Sequence, residues 1–180
     1  MDRVSLIAVA VMAMLAPAAA AEEPGPSWLD KLRRSQEAVE WSDVAVRHDW
    51  RLQERPRDGR FRILDPRDDM VRQGSAEACR AAFAGFAADG TIPPLEGPAV
   101  IVLHGLGEGR SSMRPLANHL RKTLGATVLL FGYASTAAPI EAHGRSLDAV
   151  IGGLPPDARL SFVGHSLCLL YTSPSPRDRG

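Results

Sequence analysis

Cysteine is scarce: Cys79 and Cys168 are the only two in 180 residues, too few for a disulfide framework. No bridge is expected, and Cys79 fits the inward face of an alanine-rich helix as a small core residue. Net charge is missing as well. Twenty-one basic residues balance twenty-one acidic ones, so no global field draws the chain to nucleic acid or to an anionic membrane, and any partner has to be recognised by a local site. Metal-ligand spacings of His, Cys, Asp or Glu are absent, so neither metal nor cofactor is expected. The glycine-rich stretch "HGLGEG" at 104–109 lacks the lysine and the following serine or threonine of a phosphate-binding loop. No internal repeat is present, and no low-complexity block precedes the last residues. The single long apolar run, Val4 to Ala16, is too short to cross a bilayer comfortably.

What remains is an ordinary globular composition, 45% hydrophobic, in a chain long enough for one domain or part of one. The opening "MDRVSLIAVAVMAMLAPAAAAEE" places Arg3 before the apolar run and small residues ahead of Glu22. That is the layout of an export signal, with cleavage expected near Ala20 or Ala21; Asp2 weakens the positive start, and an uncleaved membrane anchor is the alternative. Residues 1–21 are therefore assigned to a signal peptide, 22–42 to a linker and short helix, 43–167 to the folded part, and 168–180 to a tail considered below. The mature protein is expected to be exported, periplasmic or secreted.

In "SWLDKLRRSQEAVEW" the apolar residues Trp28, Leu29, Leu32, Ala38 and Val39 are spaced for a short helix. "VAVRHDWRLQERPRDGRFRILDP" alternates apolar and polar residues around the turn signal "PRDGR", which predicts an antiparallel hairpin over Val44 to Leu64. "SAEACRAAFAGFAADG" reads as a helix with Ser75 as N-cap and a stop at Gly90. From Pro98 the character changes. Apolar strands "PAVIVLHG", "ATVLLFGYAS" and "ARLSFVGHS" alternate with two helical stretches, one from Ser111 or Ser112 to Gly125 and one with Pro139 near its first turn. This alternation predicts βαβαβ units in a parallel sheet covered on both faces. The expected fold class is α/β: an antiparallel hairpin followed by an incomplete parallel sheet.

In such a sheet ligands collect beyond the carboxyl ends of the strands. Two exits carry chemistry. At "HGLGEGR", His104 to Arg110, glycines free the backbone to turn and to aim amides at a ligand. At "GHSL", Gly164 to Leu167, the small Gly164 permits a tight strand-to-helix turn that lifts Ser166 above the sheet. A serine needs a base beside it and donors for the oxyanion it generates. The amides of Leu106 and Leu167 stand in the right order to be those donors. His104 is expected to support its loop rather than transfer a proton, and His48, His119 and His143 to be packing or surface residues. Asp148 and Glu141 lie on a helix expected to face away from the site. Glu108 and Arg110 line either the mouth of the cleft or a solvated loop, and Trp28, Trp41 and Trp50 are expected to pack.

"VIVLHGLGEG" followed by "FVGHSL" resembles the α/β-hydrolase superfamily, nearest its secreted or membrane-associated lipases and esterases. The resemblance covers Pro98 to Leu167. It implies that Ser166 is the nucleophile, that Leu106 and Leu167 form the oxyanion hole through their backbones, and that His104, Gly105, Gly164 and His165 support the loop and the elbow. His165 is then the histidine before the serine, not the base. The implied partner is a small-molecule or lipid ester, with transient contact to a lipid surface. The hairpin corresponds to antiparallel strands at the edge of the same sheet. Thioesterases, amidases and acyltransferases use the same elbow, and a non-catalytic binding or scaffold module of this fold is the alternative from a different class.

The family's elbow reads glycine, histidine, serine, any residue, glycine. Here Cys168 stands where the second glycine belongs, and Pro174 and Pro176 forbid the buried helix that should follow. "CLLYTSPSPRD" resembles the translation of the transposase end and adapter used to prepare sequencing libraries. Residues 168–180 are accordingly expected to be non-native, and the catalytic acid and histidine to be encoded beyond the natural sequence that ends here at Leu167.

Overall fold

The structure, a computed structural model, describes residues 4–6 and 39–166. The predicted helix at 27–41 falls almost wholly outside these residues, as do Trp28, most of the export signal, Leu167, Cys168 and the tail.

The apolar runs after Pro98 become three parallel strands. With the short β1 (Val4–Leu6), these are β6 (Ala99–Leu103), β7 (Thr127–Phe131) and β8 (Leu160–Gly164), in the spatial order β1-β8-β6-β7. Every residue of β6 is buried, so its side chains must find apolar partners on both faces. They do so with the period of two that a pleated strand imposes. Ile101 and Leu103 join Leu129 and Phe131 on one face, against Val150 of the helix before β8 and Leu154 just beyond that helix. Val100 and Val102 join Val128, Leu130 and Val163 on the other, against Met113 and Ala117.

The crossovers are helical, as the spacing predicts. The first begins as a 3-10 turn, Arg110–Met113, and becomes α-helical only at Arg114, with Pro115 in its first turn. We label the earlier helix Ala76–Ala88 α1, the helix Arg114–Leu124 α2 and Ile140–Gly152 α3. Ser111 and Ser112 do not cap α2; they sit within the 3-10 turn. Gly125 ends α2 at φ 59°, a left-handed conformation that glycine adopts freely. Ser75 caps α1 as expected, its hydroxyl accepting from the Ala78 amide at 3.2 Å.

The expected hairpin is corrected by the structure. Val44 to Leu64 is part of a four-stranded antiparallel meander, β2 (Ser42–Arg47), β3 (Trp50–Arg55), β4 (Arg60–Leu64) and β5 (Met70–Gly74). "PRDGR" does turn the chain between β3 and β4, with Gly59 at φ 64°. A second turn at His48 and Asp49 divides what the alternation presented as one run, and His48 takes φ 54° to make it. β5 pairs along β4 although all five of its residues are exposed, so no apolar alternation announces it. α1 closes one face of the meander, burying Cys79 and Phe83 with Leu52, Phe61 and Ile63.

The meander is also a sheet of its own rather than edge strands hydrogen-bonded along the parallel one. The two meet where β2 crosses the end of β7. The Asp43 amide donates to the Gly132 carbonyl at 2.8 Å, and the Gly132 amide donates to the Asp43 carboxylate at 2.7 Å. That carboxylate also takes hydrogen bonds from Arg51 at 2.6 Å and Gln53 at 2.8 Å. Arg51 reaches on to the Leu130 carbonyl at 2.6 Å. Burial pulls the Arg51 guanidinium down to about 10, so it keeps its charge at neutral pH. A Cβ at Gly132 would lie 3.2 Å from Asp43 Oδ2, which is why glycine stands at that junction.

Candidate functional site

Parallel register sets the ends of three strands side by side. Leu103 pairs with Phe131 on one side and with Gly164 on the other. The chain leaves β6 for β7 on one flank and returns to β8 on the opposite flank, so the strand order switches between β6 and β8. That is where a crevice opens in a sheet of this kind. Both exits singled out from sequence lie at it. The ladder continues one step past the strands, with the His165 amide donating to the Leu103 carbonyl at 3.1 Å.

Ser166 is exposed and adopts φ 59°, left-handed backbone that a residue with a Cβ rarely visits. Such strain costs on the order of 1–3 kcal/mol and persists where the surroundings impose it. Here β8 ends in the buried Gly164, two residues before Ser166. Gly105 packs against this corner: a Cβ on it would lie 3.1 Å from Ser166 Cβ, 3.3 Å from His165 Nδ1 and 3.5 Å from the Glu108 carboxyl carbon. The structure thus brings His104, Gly105, Gly164, His165 and Ser166 together.

The loop after β6 is a tight turn in which the Glu108 amide donates to the Gly105 carbonyl at 3.3 Å, with Gly107 at φ 73°. Leu106 occupies its corner. Its side chain is 58% exposed, and among the described residues its amide makes no hydrogen bond.

His104 is fully buried and bonded through both ring nitrogens. Nδ1 lies 2.9 Å from the Gly105 carbonyl and Nε2 lies 3.4 Å from the Tyr133 amide. An amide can only donate, so Nε2 accepts and Nδ1 carries the proton. Burial lowers the ring's pKa and keeps it neutral. Both ring nitrogens are thus tied to the backbone at the ends of β6 and β7.

Glu108 folds back over its own turn. One carboxylate oxygen accepts from Ser112 Oγ at 2.9 Å and from the Gly105 amide at 3.4 Å, and lies 3.6 Å from His165 Nδ1. The Ser112 hydroxyl, ahead of the other contacts, holds this carboxyl below the usual range. Arg110, left open as cleft lining or solvated loop, is buried and reaches Asp68, which also takes a hydrogen bond from Arg114 at 2.8 Å. Asp68, at φ 69°, brings the turn between β4 and β5 against the outer wall of the site.

Sequence reasoning missed Tyr133, Asp68 and Ser135. Ser135 Oγ donates to the Glu108 carbonyl at 3.3 Å. "GYAS", at the end of an apolar run one strand away from "HG", was the available signal for Tyr133 and Ser135. Nothing local marks Asp68. A cavity of about 240 Å³ lined by His48, Asp49, Arg121 and Gly125 to Val128 lies at the start of β7, the opposite end of that strand from the crevice. Among the described residues no three His, Cys, Asp or Glu side chains could jointly hold a metal ion, and no helix is long and apolar enough to cross a membrane.

The fold and the site define a mixed α/β protein with an antiparallel four-stranded sheet, a parallel sheet, and a serine on a strained strand exit at the switch in strand order. No protein-family model, curated protein or solved structure matches the chain.

Proposed function

We propose that this chain is the N-terminal part of an exported α/β-hydrolase, a serine esterase or lipase that cleaves carboxylic esters through an acyl-enzyme. The observation that carries the reading is the left-handed Ser166, exposed at the end of β8 and packed against Gly105, whose neighbour Leu106 has an amide that makes no hydrogen bond among the described residues. Strained backbone at an exposed nucleophilic side chain needs a reason, and presenting that hydroxyl to a substrate supplies one.

Ser166 Oγ attacks the acyl carbon while its proton passes to a histidine base. The carbonyl oxygen becomes an oxyanion facing the Leu106 amide, with the Leu167 amide as second donor. The alcohol leaves with the base's proton, and water then releases the acid from the serine. The described histidines do not supply this base. Both nitrogens of His104 are engaged, the His48 ring lies against the Pro94 carbonyl at 3.1 Å, His143 packs on Tyr133, His119 is exposed on α2, and His165, whose Nδ1 faces Glu108 at 3.6 Å, is by the family resemblance the residue before the nucleophile and not its base. We therefore place base and acid in natural sequence beyond Leu167 and expect no turnover from the 180-residue chain.

Labelling of the full-length protein by a fluorophosphonate tests the proposal. Ser166 should carry the label, and labelling that survives Ser166→Ala would overturn it.

A further inference from the structure

Glu108 has no part in the reaction just described, yet its carboxylate is pinned beside the corner where that reaction would occur. The Ser112 hydroxyl and the Gly105 amide fix it from within its own loop, and His165 Nδ1 faces it from the elbow at 3.6 Å. Its carboxyl carbon and Ser166 Cβ lie 3.5 Å and 3.1 Å from one point, the place a Cβ on Gly105 would fill. Of the nearby cationic groups, Arg110 and Arg114 both turn to Asp68, buried His104 is held neutral, and the His165 ring offsets the charge only when it is protonated. At the same mouth Leu106 presents an exposed apolar side chain. The approach to Ser166 thus combines an apolar lip with one fixed negative charge.

We infer that Glu108 makes this site selective by charge: it admits neutral acyl groups and turns away those that carry a carboxylate or another anion. The inference rests on the serine-hydrolase reading and names the substrate class within it. A like charge brought within several ångströms of a half-exposed carboxylate is disfavoured on the order of tenfold, since solvent and salt screen part of the repulsion. Leu106 strengthens the preference by giving an uncharged acyl chain an apolar surface to cover.

The test uses the full-length protein and a matched pair of alkyl p-nitrophenyl phosphonates, one chain ending in a methyl group and one in a carboxylate. The ratio of their labelling rates is read within each variant, so a general loss of activity cancels. Wild type should label faster with the neutral probe, and Glu108→Gln should bring the ratio down on the order of tenfold. Glu108→Asp and Ser112→Ala, which keep the charge, should retain most of it. A ratio unchanged in Glu108→Gln, or lowered as much by Ser112→Ala, would overturn the inference while leaving Ser166 labelled. Should Glu108→Gln not fold, wild type in low and in molar salt decides: a ratio that shrinks with salt supports the inference, and one indifferent to salt contradicts it. Absence of labelling by both probes in wild type would remove the nucleophile reading and the inference with it.

Discussion

Tyr133 stacks on His104 with ring centroids 4.2 Å apart, and its hydroxyl donates to the His104 backbone carbonyl at 2.7 Å. One side chain from just beyond β7 thus contacts both the ring and the backbone of the residue that opens the Gly105–Glu108 turn.

Tyr133→Phe keeps the stack and removes only the hydroxyl and its hydrogen bond to a buried carbonyl. It should destabilise the full-length protein by about 1–2 kcal/mol, read from denaturant midpoints. Because the loop loosens, kcat should fall more than KM rises.

Buried neutral histidine sets a pH dependence. The folded pKa of His104 is lowered, chiefly by burial, so below the unfolded value of ~6.5 the unfolded chain binds a proton that the folded chain refuses. Stability should therefore fall as pH drops through that value toward the folded pKa. His143, also lowered by burial, adds in the same direction. Glu108 adds a second decline below the ordinary glutamate range, because its folded pKa is depressed as well. Melting temperatures compared at pH ~8 and ~5.5 check the sign: the acid value should be lower.

Asp43→Ala should be among the most damaging single changes. It leaves buried Arg51 without its carboxylate and the Gly132 amide without its acceptor at the seam between the two sheets. Removing one partner of a buried pair costs about 3–5 kcal/mol, which a shift in urea midpoint would register.

Much of this fold could be read from the residues because β6 and nearly all of β7 are buried on both faces and must be almost wholly apolar, and because Ser75, Gly90 and Gly125 stand where helices begin and end. The meander was less legible for a physical reason. β5 exposes every residue, and its pairing to β4 is a backbone matter. Arg51, Gln53 and Arg62 are buried in β3 and β4, so polar letters there report not the solvent face but a network that exists only once the sheets meet. At the site, Ser166, Gly105 and His104 announced themselves because strand-end glycines and a serine have few other reasons to occur together. Glu108 was left open between cleft and solvent because its contacts with Gly105, Ser112 and His165 depend on a turn and on a strand more than fifty residues away. Trp41 shows the same limit. It is buried, with the guanidinium groups of Arg55 and Arg62 over its ring at 5.2 Å and 4.2 Å, a packing role that its position alone suggested but could not specify.

Gly105→Ala probes the contact between loop and elbow. The added methyl would meet Ser166 Cβ at 3.1 Å, closer than most real contacts, and has to push the loop or the serine aside. A misplacement of about 1 Å near the chemistry can cost about 10²-fold, and a smaller shift costs less. On the proposed function the expected result is a drop in kcat of up to that order on a short neutral ester, with little change in melting temperature.

The most direct measurement concerns the side chain on which the account turns. Full-length wild type and Ser166→Ala should be exposed to a fluorophosphonate, digested, and the modified peptide sequenced by mass spectrometry. The account predicts one adduct, on Ser166, absent from the variant although the variant keeps its fold; an adduct elsewhere in the wild type, or undiminished labelling of Ser166→Ala, would contradict it.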